Sequence, residues 1–192
     1  MRTQSLKDES GFTLVEMLVV MAIMMVFLVG VGNMIVSGVR SSSASYNLVK
    51  MDEAANEALD TMARQIRVST CLSNTCSANS ILFAGDVDGD TAVEAVQFAA
   101  TGGYLQRGDA LYGSSELPMV NWIQGCNQVT FTYWYYNDAT GQFNKINMAS
   151  ATDWNAYHLG IKRVDIELKM SGSNLSKTYA GGVALRNQLE EF

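Results

Sequence analysis

Basic residues are scarce in this chain. Thirteen lysines and arginines stand against nineteen aspartates and glutamates, a formal net charge of −6 and a sequence pI of about 4.7. A nucleic-acid partner needs a basic face, and none is visible, so direct nucleic-acid binding is not expected. Histidine is scarcer still: His158 stands alone, with no ligand pattern beside it. The three cysteines, Cys71, Cys76 and Cys126, make neither a CxxC pair nor a Cys/His cluster, which excludes the usual zinc and redox spacings. Nothing resembles a catalytic triad or a phosphate loop. Carboxylates are plentiful, but none can be singled out as an acid/base pair. The chain reads as non-enzymatic, with no cofactor implied unless it is calcium.

The scarcity that organises everything else is local. Between Phe12 and Val39 the sole charge is Glu16. A helix over Met17–Val39 would be roughly 35 Å long, enough to cross a bilayer core of about 30 Å. Fourteen Leu, Ile, Val and Phe residues lie between Phe12 and Val36. They favour insertion by roughly 4–8 kcal/mol, against roughly 2.5–3.5 kcal/mol for an acid at the helix centre. Insertion wins, and Glu16 still needs its own explanation. An ordinary secretory signal does not fit, because the run is too long and contains an acid. A polar stretch from Met1 to Gly11 comes before it.

Gly11-Phe12-Thr13-Leu14-Val15-Glu16, set directly before a spanning helix, resembles the processing motif of type IV pilins and type II secretion pseudopilins. The resemblance implies a leader at residues 1–11, cleavage between Gly11 and Phe12 by prepilin peptidase, and N-methylation of Phe12. It makes Glu16 the fifth residue of the mature chain. There its carboxylate would neutralise the terminal amine of a neighbouring subunit during docking. Opposite charges buried as a pair lose less than either alone. A plain signal anchor that happens to hold a glutamate is the alternative.

Beyond the apolar run, Leu48, Met51, Ala55, Leu59, Met62 and Ile66 recur at the spacing of one helical face, with charged residues mainly opposite. A continuous helix from about Phe12 to Ser69 is expected. Residues 12–39 would form a transmembrane or filament-core part, and residues 40–70 an amphipathic part lying on a domain of residues 71–192. Many major pilins carry a proline in this helix; here Gly30-Val31-Gly32 is the expected loosening point. From residue 80 the pattern turns to period two. Strands are read at Ser80–Gly85, Ala92–Ala100 and Gln128–Tyr136, in short pieces around Tyr104–Leu105 and Ala110–Tyr112, around Val164–Met170, and finally up to Leu185–Asn187. Gln142–Tyr157 reads as loop. The fold class is α+β: a long N-terminal helix on an antiparallel β-sheet domain. That layout is also pilin-like.

Three further features invite a site. Cys71 and Cys76 are close enough in sequence for a bridge, with pairing of either to Cys126 left open. Asp86, Asp88, Asp90 and Glu94 suggest calcium, which takes several carboxylate oxygens, although Asp-Gly is also ordinary hairpin-turn chemistry. The aromatic strand Phe131–Tyr136 offers a carbohydrate or partner surface, or simply sheet core. With the Val183–Asn187 ending, the acidic turn and this strand look most like minor pilins of the PilW kind and GspJ-type pseudopilins. The absence of a cysteine near the C-terminus departs from major pilins of the disulfide-looped kind.

The resemblance therefore implies a minor pilin of a type IV pilus, placed at the filament tip or in initiation. The alternative within the class is a GspJ-like pseudopilin of a type II secretion system. Implied partners are other pilin or pseudopilin subunits, prepilin peptidase, an inner-membrane assembly platform and membrane lipid. The subunit would start as a single-pass inner-membrane protein with its domain in the periplasm and end in the filament. A reading from another class is a membrane-anchored ligand-binding or calcium-binding module.

Overall fold

The computed structural model describes residues 13–73, 75–113, 117–157, 160–172 and 175–185. The chain divides into two compact units, one ending at Tyr46 and the other starting at Asn47. A single element, helix α1 (Leu14–Arg67), supplies the described part of the first unit and opens the second.

In the first unit every side chain from Leu14 to Val39 except Val31 is exposed. This is the described chain's single helix long and apolar enough to cross a membrane, and its most apolar window has a mean hydropathy of 2.7. Such a helix satisfies its own backbone, so lipid can surround it without leaving polar groups unpaired. The helix runs through Gly30 and Gly32 without a break, and a β-carbon at either would meet nothing within 4 Å.

In the second unit the apolar positions fall on one face. Ala55, Ala58, Met62 and Ile66 are fully buried, with Met51 and Leu59 packed beside them. Behind them lie two antiparallel sheets where the sequence suggested one. The five-stranded sheet has the order β1 (Ser69–Leu72), β2 (Ser80–Gly85), β3 (Glu94–Thr101), β4 (Tyr104–Leu111), β5 (Met119–Gln124). The four-stranded sheet places β7 (Gln142–Lys145) beside β6 (Cys126–Asn137), then β8 (Ile161–Gly172) and β9 (Leu175–Ala184). Their inner faces share one core, with Phe83, Phe98 and Leu105 from one and Phe131, Tyr133, Ile166 and Leu168 from the other. Gly125 makes the crossing from β5 to β6. Its φ is 89°, its N–H donates to Gly103 O at 2.8 Å, and a β-carbon there would sit 3.0 Å from Ser171 O. Only glycine fits both demands.

Several elements depart from the sequence reading. The two short pieces around Tyr104 and Ala110 are one strand, β4. Gly108 does not interrupt it: it pairs with Gln97 on one side and Met119 on the other, and Met119 Sδ lies where a side chain would sit. Within Gln142–Tyr157, read as loop, β7 pairs with the end of β6, and a short helix α2 (Ala151–Tyr157) follows. Trp154 anchors α2, its ring edge-on to Tyr133 at 5.1 Å. The contact is tertiary, and no local period announces it. Both α1 and the long strands otherwise fall close to their expected bounds.

Candidate functional site

The motif Gly11–Phe12 lies outside the described residues; the structure begins one residue later, at the helix entry. There Thr13 and Glu16 form a reciprocal cap. Glu16 N–H donates to Thr13 Oγ1 at 3.3 Å, while Thr13 N–H and its hydroxyl donate to Glu16 Oε2 at 3.2 and 3.3 Å. This is a capping box, worth about 1 kcal/mol for the threonine. A carboxylate in the first turn also meets the positive end of the helix dipole. Part of the price of Glu16 in an apolar helix is therefore offset within its own chain. Both bonds fall on Oε2, which leaves Oε1 to accept from a donor outside the helix. The Thr-x-x-Glu spacing is visible in the sequence, but the sequence reading treats Glu16 only as a docking residue and does not draw the cap from it.

The acidic turn is closed by its own carboxylates. Asp86 accepts from Gly89 N–H at 2.7 Å and Thr91 N–H at 3.1 Å, Asp88 from Asp90 N–H at 3.1 Å, Asp90 from Ala92 N–H at 2.7 Å, and Glu94 from Val87 N–H at 3.0 Å. Gly89 and Thr91 both take positive φ, 87° and 74°. For a β-branched threonine that is a strained conformation, and the surrounding hydrogen bonds hold it. Asp86, Asp88 and Glu94 bring carboxylate oxygens within 4.8 Å of one another, and Asp90 stands outside that group. Three oxygens are fewer than the six to eight that calcium takes, so carbonyls or water would have to complete a site.

The Cys71 side chain lies outside the described residues, so the Cys71–Cys76 pairing does too. Cys76 Sγ lies 3.1 Å from Leu82 O and accepts the Leu82 N–H at 3.3 Å. Cys126 is a buried free thiol, and burial pushes its pKa up, away from a reactive thiolate. The aromatic strand divides by parity. Phe131 and Tyr133 are core, and the Tyr133 hydroxyl donates to Ser77 O at 3.1 Å. Tyr135 stacks on Tyr157 at 4.1 Å, whereas Trp134 and Tyr136 belong to the opposite, outer face.

A polar clamp joins α1 to β9. Asp52 accepts from Lys177 Nζ at 2.8 Å and from the Tyr179 hydroxyl. The hydrogen bond from Lys177, then that from Tyr179, holds the Asp52 carboxyl below its ordinary pKa. Desolvation, then the bond to Asp52, pushes Tyr179 up to about 12.

The prokaryotic N-terminal methylation motif matches residues 6–32. No curated protein matches the chain. The match covers the cleavage region, the Thr13–Glu16 cap and the apolar helix as far as Gly32, and the β domain lies outside it. With the α+β pilin-like architecture, it supports a type IV pilin-like prepilin: a prepilin-peptidase substrate, assembled with other pilin-type subunits. The apolar helix is consistent with a single-pass membrane anchor. All of this points to a structural, non-enzymatic subunit.

Proposed function

We propose that the chain is a minor pilin of a type IV pilus, acting at the filament tip or in initiation. It is cleaved between Gly11 and Phe12, and Phe12 is N-methylated. The observation that carries the reading is the capped glutamate at the head of a stretch, Leu14–Val39, that is otherwise apolar and, Val31 aside, exposed. Such a helix needs a covering in every environment it occupies, lipid before assembly and neighbouring helices after it. The assembly platform draws the helix out of the inner membrane, with the β domain on the periplasmic side. Glu16, with Oε1 available, accepts the N-terminal amine of an adjacent subunit.

Mass spectrometry of the mature N-terminus tests the processing. A methylated phenylalanine at position 12 is expected, and an intact Met1 would overturn it. Glu16→Ala is expected to insert and be cleaved but to enter filaments poorly. A GspJ-like pseudopilin uses the same parts, and deletion separates the two: lost piliation supports the pilus, whereas lost exoprotein secretion with normal pili supports the secretion system. The convergence of Asp86, Asp88 and Glu94 favours a second reading, a membrane-anchored calcium-binding module. Calorimetry at millimolar calcium decides it, since absence of heat would remove that reading and leave the turn structural.

A further inference from the structure

The four-stranded sheet buries one face and leaves the other outward. Register fixes the outward rows: Thr132 is opposite Asp165, which is opposite Gly182, and Trp134 is opposite Arg163. A groove of about 520 Å³ lies over these rows. A second, of about 350 Å³, runs along the edge of β6 and shares Thr130, Thr132 and Lys145 with the first. It opens there because β7 pairs only with Trp134–Asn137. Both volumes fall in the range of about 300–1,000 Å³ typical of ligand sites.

The floor is built rather than incidental. Trp134 Nε1 donates to Asp165 Oδ2 at 2.8 Å, and Arg163 Nε donates to Asp165 Oδ1 at 2.7 Å. Each carboxylate oxygen is therefore fixed by a different partner. Asp165 stands diagonally from Trp134, so the indole reaches along the sheet to it while staying partly exposed. With its N–H already bonded, the ring offers a stacking surface. Gly182 keeps the arrangement open: a β-carbon there would come within 2.7 Å of Asp165 Oδ1. Arg163 remains about half exposed, with donors to spare.

Charge then narrows the occupant. Lys145 and Arg163 balance Asp165 and Glu167 across the groove, so neither a polyanion nor a polycation finds a surplus to bind. What suits a flat aromatic face ringed by hydroxyls, a guanidinium and a carboxylate is a ligand with apolar C–H faces and many hydroxyls. We propose that this groove binds a neutral oligosaccharide. One sugar ring stacks on Trp134, and its neighbours are hydrogen-bonded by Arg163 and the Thr130 and Thr132 hydroxyls. The inference does not depend on the filament reading.

The test titrates the full mature chain, in detergent, with maltohexaose, cellohexaose and the hexamer of N-acetylglucosamine, followed by calorimetry and tryptophan fluorescence. Saturable binding of at least one is expected, weakened at least tenfold by Trp134→Ala and by Arg163→Ala. Trp122→Phe, in the other sheet, should leave it unchanged. Thr132→Val, which preserves shape, is expected to weaken binding severalfold and serves if Trp134→Ala disturbs the fold by circular dichroism. No saturable binding of any probe up to 10 mM, or binding that survives both Arg163→Ala and Thr132→Val, overturns the proposal. A Trp134→Ala chain that folds, binds sugar as before and assembles poorly also overturns it, and assigns the face to a subunit contact.

Discussion

Helix α1 is one element under two regimes. From Leu14 to Val39 nearly every side chain is exposed, whereas between Asn47 and Arg67 four side chains are wholly buried. The backbone hydrogen bonding is the same in both. In the first stretch the side chains are exposed among the described residues, and the described support is the Thr13–Glu16 cap. In the second, a periodic stripe is held by the core of two sheets and by the Asp52 clamp to β9. Helical conformation alone therefore says little about what keeps a segment in place. The surroundings of its side chains decide that.

The sharpest test of this contrast is a pair of truncations. Ile66→Ala in the buried stripe should destabilise the domain by about 2–5 kcal/mol in urea unfolding of the detergent-solubilised chain. Ile23→Ala, in the exposed stretch, should change the same quantity by less than about 0.5 kcal/mol. Equal effects would erase the distinction. Polarity should reverse the ranking. Val26→Asp, at the middle of the apolar stretch, should disfavour membrane insertion by about 2.5–3.5 kcal/mol in a translocation assay while leaving the domain's unfolding untouched. Thr13→Ala should weaken the helix start by about 1 kcal/mol, read as faster hydrogen exchange in the first turn with no change near Ile66.

The smallest and most local effect lies at the clamp. Tyr179 has its pKa raised on folding, so its stabilisation is complete below about pH 10, the ordinary tyrosine value. It is lost as pH rises toward about 12. Asp52 is depressed, so its share is present above about pH 3.9 and fades as pH falls through its lower folded value. Tyr179→Phe should shrink the alkaline limb of the stability profile, which Tyr133 and Cys126 share, and should also weaken the acid limb, where Lys177 still holds Asp52. An unchanged alkaline limb would detach the clamp from the helix's stability.

How much was legible in advance depended on periodicity. Met51, Ala55, Met62 and Ile66 announce their buried face by spacing. Val164, Ile166, Leu168 and Met170 do so by alternation, and all four are buried. Both signals are local and come from burial on one side. The four-residue strands β1 and β7 are too short to show a period, and the edge strand β5 alternates poorly because Val120 and Asn121 are both exposed. Helix α2 depends on Trp154 meeting Tyr133, a contact made across the fold. The same limit applies to sites. Glu16 and its threonine cap are three residues apart and can be read directly. Trp134, Asp165 and Arg163 come together only through the pairing of β6 with β8, so register had to be known first.

The emptiness of charge between Phe12 and Val39 has a consequence for information. A helix that is apolar all round can be covered equally well from any side, and at almost any height. It does not by itself tell a neighbouring copy where to stop. Glu16 is the one graduation on this rod. A slip of one residue moves a partner by about 1.5 Å, and a slip of one turn by about 5.4 Å. On the proposed pairing of Glu16 with a neighbour's terminal amine, either displacement would take a buried counter-charge off its mark, at a cost that the apolar surface does not offset. The long greasy stretch can then be lenient about sequence, since alignment is written in a single carboxylate. An extra acid elsewhere along the helix would do more than burden insertion: it would give the rod a second, conflicting zero.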